Sequence, residues 1–220
     1  MGRQLSTNGF PKTLMCKHRY YTEIELNRPT MQSIAQYRFR ANNMFDPDWE
    51  SSQIPDYKRN HQPMGFDEMS RYYKKVIVVG SKITCYPIDM ASNAYVGQYG
   101  LALENNPGEL TGKTNARLIE SGVKFSRFQS FRANTGGNKY KLTKSFSAKK
   151  YFKTKSIVGQ SEYEQDVTQA DDADDQSKNA YYILWAASPD QGTETVQNQG
   201  WIVIIEYIAL WSDPNILDQS

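Results

Sequence analysis

Few side chains in this 220-residue sequence stand at spacings that could do chemistry. The two histidines, His18 and His61, lie in a basic N-terminal stretch and in a loop before Pro63. Neither has a nucleophile motif beside it, so both read as structural or surface groups, with a triad assembled from distant residues as the alternative. Gly112-Lys113-Thr114 ends like a phosphate-binding loop, but the spacing needs a glycine where Pro107 stands, and the flanks do not alternate strand and helix. It reads as a plain turn. Asp171, Asp172, Asp174 and Asp175 cluster as carboxylates do around hard cations. The glycine and terminal glutamate of a calcium loop are missing, so a solvated or subunit-contacting loop is the first reading and a divalent metal site the weaker one. Cys16 and Cys85 form neither a disulfide framework nor a metal-type pair, and reduced thiols without a cofactor are expected.

Basic residues interleaved with aromatics are the better signal, because cations neutralise phosphates while aromatic faces stack unpaired bases. QYRFR, GVKFSRFQSFR and NKYKLTKSFSAKKYFKTK all show the mixture. Alternation along a strand equally predicts aromatics packed inward and bases on an ordinary solvated face. The formal charge of +2 hides a segregation. Residues 113–155 hold twelve Lys or Arg and one acid, whereas residues 156–220 hold one base and twelve acids, giving blocks of +11 and −11. Such blocks repel themselves and need a polyanion, an acidic neighbour or a wide solvated face.

The elements that must position these residues are strands. Period-two alternation of β-branched and aromatic residues predicts strands at Lys17–Leu26, Ile34–Arg40, Lys75–Ile88, Ala94–Leu103, Gly122–Phe131, Asn138–Phe146, Tyr181–Ala187 and Trp201–Trp211. The last is mostly apolar on both faces, interrupted only by Glu206, as a central buried strand is. GFDEMSRYYKK carries the one helical pattern, with Asp67 as its cap and Phe66, Met69 and Tyr73 on one side. The stretch from 161 to 179 is acidic, poor in bulky apolar residues, and reads as a loop without a strand. No interdomain linker or repeat interrupts the series. The expectation is one all-β domain over residues 1–220, an eight-stranded jelly-roll β-sandwich with long loops and one short helix. The longest nearly apolar stretch, Trp201–Trp211, is about half the roughly 20 residues a membrane helix needs, and residues 1–21 lack a signal-like apolar run. No membrane insertion is expected.

The stretch from Tyr37 to Ile83 resembles the capsid proteins of circular Rep-encoding single-stranded DNA viruses, the circovirus-like group. The residues that carry it are Arg40-Ala41-Asn42, His61-Gln62-Pro63-Met64-Gly65-Phe66-Asp67 and Val79-Gly80-Ser81-Lys82-Ile83, followed more loosely by WIVIIEYIALWSDP. The resemblance implies a non-enzymatic coat protein in a virion, passing through the host nucleus or cytoplasm during assembly. It further implies a T=1 icosahedral shell of about sixty copies around a single-stranded DNA genome. Members of that group usually begin with a long arginine-rich arm, whereas residues 1–22 here hold Arg3, Lys12, Lys17 and Arg19. Genome contact would then fall to Lys12, Lys17, Arg19, Arg38 and Arg40. Lys149, Lys150, Lys153 and Lys155 are candidates for sulfated glycans or subunit contacts. The rivals are a jelly-roll glycan-binding module and a jelly-roll hydrolase with paired carboxylates, since a fold does not fix a function.

Overall fold

The computed structural model describes residues 11–26, 34–52, 61–88, 96–108, 120, 128–132, 141–167, 178–187 and 199–215. In chain order the strands are β1 (Thr13–Leu26), β2 (Ile34–Arg40), β3 (Tyr73–Pro87), β4 (Val96–Glu104), β5 (Phe128–Arg132), β6 (Leu142–Ser147), β7 (Gln165–Asp166), β8 (Tyr181–Ala187) and β9 (Gln199–Pro214). Short helices α1 (Trp49–Ser52), α2 (Phe66–Ser70) and α3 (Ala148–Tyr151) sit in the connections.

One sheet runs β1-β9-β3-β6, with the two-residue β7 paired to β3, and the other runs β2-β8-β4-β5. All pairings are antiparallel. Strands adjacent in sequence mostly alternate between sheets, and the last strand returns beside the first. That is the strand order of a jelly roll. The alternation read from sequence explains it, because each strand has one apolar row for a shared core. Tyr20, Ile24, Val203, Ile205, Tyr207, Ile83 and Cys85 from one sheet meet Phe39, Leu101, Tyr182, Leu184 and Ala186 from the other, each 2% exposed or less.

β2 and β8 match the expected bounds, and β9 is central between β1 and β3. Its second face departs from expectation. Ile202, Ile204 and Leu210 are only half-buried and Ile208 is 38% exposed, because nothing described in the chain lies over that side. The helix is also shorter than predicted. It starts from Gly65 in the left-handed region (φ 81°), which glycine adopts without steric penalty, and has no side-chain cap, Asp67 lying in its first turn. It stops at Ser70 because Tyr73 and Lys75 pair with Pro214 and Ser212 of β9, and a ladder outweighs one further turn of a short helix. Finally, the acidic stretch expected to lack strands supplies β7, its Gln165 and Tyr163 buried at 4% and 5%.

Candidate nucleic-acid interface

Alternation in β1 sends Met15, Lys17, Arg19, Tyr21 and Glu23 outward, while His18, Tyr20, Thr22 and Ile24 are buried. Register then builds rows across the open face of the sheet. Arg19 stands opposite Glu206, Glu206 opposite Lys82, and Lys82 opposite Ser145. The next row holds Lys17, Ile208, Gly80 and Ser147. A β-bulge between Val78 and Gly80 breaks the β3 ladder here, and β6 comes so close that a Cβ on Gly80 would lie 3.1 Å from the Phe146 carbonyl oxygen. The result is an open depression of about 400 Å³ whose lining includes Lys17, Arg19, Lys82, Glu206, Ile208 and Ser145. Arg19 and Glu206 are 3.4 Å apart, with side chains 67% and 50% exposed. Such a pair is screened and exchangeable rather than structural.

The structure therefore brings Lys17 and Arg19 together and adds Lys82, which was legible only as part of the Val79–Ile83 motif. Lys12 is exposed just before β1 but lies outside this lining. Arg38 and Arg40 belong to the other sheet, and both expectations are corrected by what surrounds them. Arg40 is 3% exposed, and its Nη1 donates to the Asp46 carboxylate at 2.5 Å and the Asp46 carbonyl at 3.0 Å. Arg38 donates to Glu50 at 2.5 Å and to the Pro107 carbonyl at 2.7 Å, and lies over the Trp49 ring at 4.9 Å. Burial pushes the Glu50 carboxyl up while Arg38 pulls it back down. Both guanidiniums thus hold loops to the sandwich.

The segments 40–42, 61–67 and 79–83 are used in the same structural way. Ser81 donates to the Ala41 carbonyl at 2.5 Å and shares a 2.8 Å hydrogen bond with the Tyr182 hydroxyl. Tyr207 donates to the Arg40 carbonyl, and Asn42 accepts from the Ala180 N–H and donates to the Lys178 carbonyl. His18 is 5% exposed and bridges three elements. Its Nδ1 donates to the Met64 carbonyl at 3.1 Å and its Nε2 accepts from the Trp211 indole at 3.0 Å. Met64 N–H returns a hydrogen bond to the Arg19 carbonyl. His61 is exposed and stacks on Tyr20 at 4.7 Å between ring centres.

Lys149, Lys150, Lys153 and Lys155 are all exposed, on α3 and the turn after it, immediately beyond the β6 edge of the depression in sequence. Gly112-Lys113-Thr114 and Asp171, Asp172, Asp174 and Asp175 lie outside the described residues. Among the described residues no group of three or more His, Cys, Asp or Glu could hold a metal ion, and no helix is long and apolar enough to cross a membrane.

No protein-family model matches the sequence, and no curated protein matches it. Among solved structures, the 60-mer BFDV capsid protein is similar with a TM-score of 0.46 and 11% identity, over 98% of this chain and 100% of that one. A semi-empty virus-like particle of the Macrobrachium rosenbergii nodavirus gives 0.46 and 10%, over 94% and 95%. The empty head of turnip yellow mosaic virus gives 0.45 and 10%, over 100% and 92%.

Proposed function

We propose that this chain is one jelly-roll domain over residues 1–220 and a viral coat protein without enzymatic activity. Its copies associate into a closed icosahedral T=1 shell around a single-stranded DNA genome, assembled in the host nucleus or cytoplasm and carried in the virion. One observation carries the reading. Two of the three segments of the circovirus-like resemblance are joined in the fold by the hydrogen bond from Ser81 to Ala41, 40 positions away, and the third is held to β1 by His18 gripping the Met64-Gly65 turn. Their polar atoms hold strands and loops of the jelly roll, which is what a shell-building scaffold asks of a motif. The open basic and apolar face of the β1-β9-β3-β6 sheet then supplies the surface on which a polyanion could lie.

The test is the particle itself. Purified protein in assembly-promoting buffer is passed through size-exclusion chromatography with light scattering and absorbance at 260 and 280 nm, followed by negative-stain microscopy. Megadalton closed shells with a raised 260 nm signal are expected. A stable monomer near 25.3 kDa, or a small oligomer, would overturn the reading and favour the glycan-binding module, with Lys149, Lys150, Lys153 and Lys155 as its contacts.

A further inference from the structure

Anion sites on sheet faces form where register sets cations side by side around a carboxylate-sized gap. Here Glu206 occupies such a gap, with Arg19 directly across one ladder and Lys82 directly across the other. Directly opposed residues on a sheet sit about 4.5–5.5 Å apart at Cβ, so one carboxylate and one phosphate compete for the same two cations. Lys17 stands in the adjacent row of the same depression. Ile208 at 38% exposure and Tyr21 at 47% flank the cations with apolar and aromatic surface, on which an unpaired base can rest. Arg19 and Glu206 are both more than half or half exposed, so exchanging one anion for another needs no refolding.

We propose that this depression is a contact site for the phosphodiester backbone of a single-stranded nucleic acid, and that Glu206 is a built-in competitor occupying the position a phosphate takes when the strand is loaded. The site rests on the coat-protein reading for its biological occupant, but its chemistry can be tested without a shell. Loading transfers Arg19 from Glu206 to the strand and brings Lys82, which stands across the other ladder, onto the same phosphate. The retained carboxylate keeps each contact weak and reversible, which suits a protein that must both enclose and release a polymer.

The experiment measures fluorescence anisotropy of a labelled oligothymidylate of about 12 nucleotides, within the usual range of single-strand site sizes. The full chain is titrated at several salt concentrations. Glu206→Gln is expected to tighten binding about two- to fivefold and Lys82→Gln and Arg19→Gln to weaken it by a similar factor, the range an exposed charge pair supplies. Each lost cation should also lower the slope of log affinity against log salt by about 0.7. Glu25→Gln is the control. It makes the same charge change on the same face of β1, six residues or about 20 Å from Arg19, beyond the screening length of about 8 Å. Equal effects of Glu206→Gln and Glu25→Gln, or unchanged binding in Lys82→Gln, would overturn the proposal. Light scattering on the same samples separates the two readings. Shells whose oligonucleotide binding ignores Lys82 would remove this site alone. A monomer that binds through Arg19 and Lys82 would keep the site and remove the coat.

Discussion

His18 is locked in one neutral tautomer, because Nδ1 must carry the proton it gives to Met64 while Nε2 must stay bare for Trp211. Burial lowers its pKa, opposed by the Met64 hydrogen bond and by Glu68. The unfolded chain, with an ordinary value of about 6.5, binds the proton more readily. The contribution to stability is therefore complete above about pH 6.5 and is lost as pH falls through the lower folded value. Urea midpoints should fall between pH 7 and pH 5, and the fall should be smaller in His18→Gln. An equal fall in both would assign the acid sensitivity elsewhere. Arg40 makes a second contrast. Arg40→Met strands the buried Asp46 carboxylate and should cost about 3–5 kcal/mol, whereas Lys17→Gln at the exposed face should stay within about 0.5 kcal/mol. Sequence put these two bases in one class, as candidates for genome contact near the N-terminal region. What separates them is Asp46, six residues on, a partner that alternation within β2 does not show.

At the scale of elements, alternation placed β2 and β8 with the right bounds because each has an inner apolar row, and it placed β9 at the centre because Trp201–Trp211 is mostly apolar on both faces. It overran α2 because Tyr73 follows helical spacing equally well, and only the pairing with Pro214 decides for a strand. Packing across strands was similarly hidden. Trp185 lies on Gly100, its directly opposed partner, so closely that a Cβ there would be 2.3 Å from the indole. Trp185 is fully buried, in a second cluster with Ile34, Ala102, Tyr181 and Ile183 on the outer face of its sheet. Gly100→Ala should lower stability by about 1–3 kcal/mol through overpacking. Trp185→Leu in the same chain should recover part of that loss, and strictly additive thermal shifts would show that the two residues are not coupled.

For the molecule as a whole, the +11 and −11 blocks were plain in the sequence, while their placement was not, since parts of both blocks lie outside the described residues. Charge sums carry no direction; the strand order does, and it separates the open face of the β1-β9-β3-β6 sheet from the core. If the blocks meet between neighbouring copies, assembly rate should fall as salt rises from 0.15 M to 1 M, where the screening length shrinks from about 8 Å to about 3 Å. Assembly followed by light scattering at a constant rate across that range would remove the blocks from the interface. The sandwich also carries its own clock. Cys85 is fully enclosed between the sheets and burial raises its thiol far above the usual range, while Cys16, its pKa raised less by partial burial, sits on the first strand with some access to solvent. A thiol reagent should therefore label the folded chain at one position, and the appearance of the second label should time the parting of the two sheets.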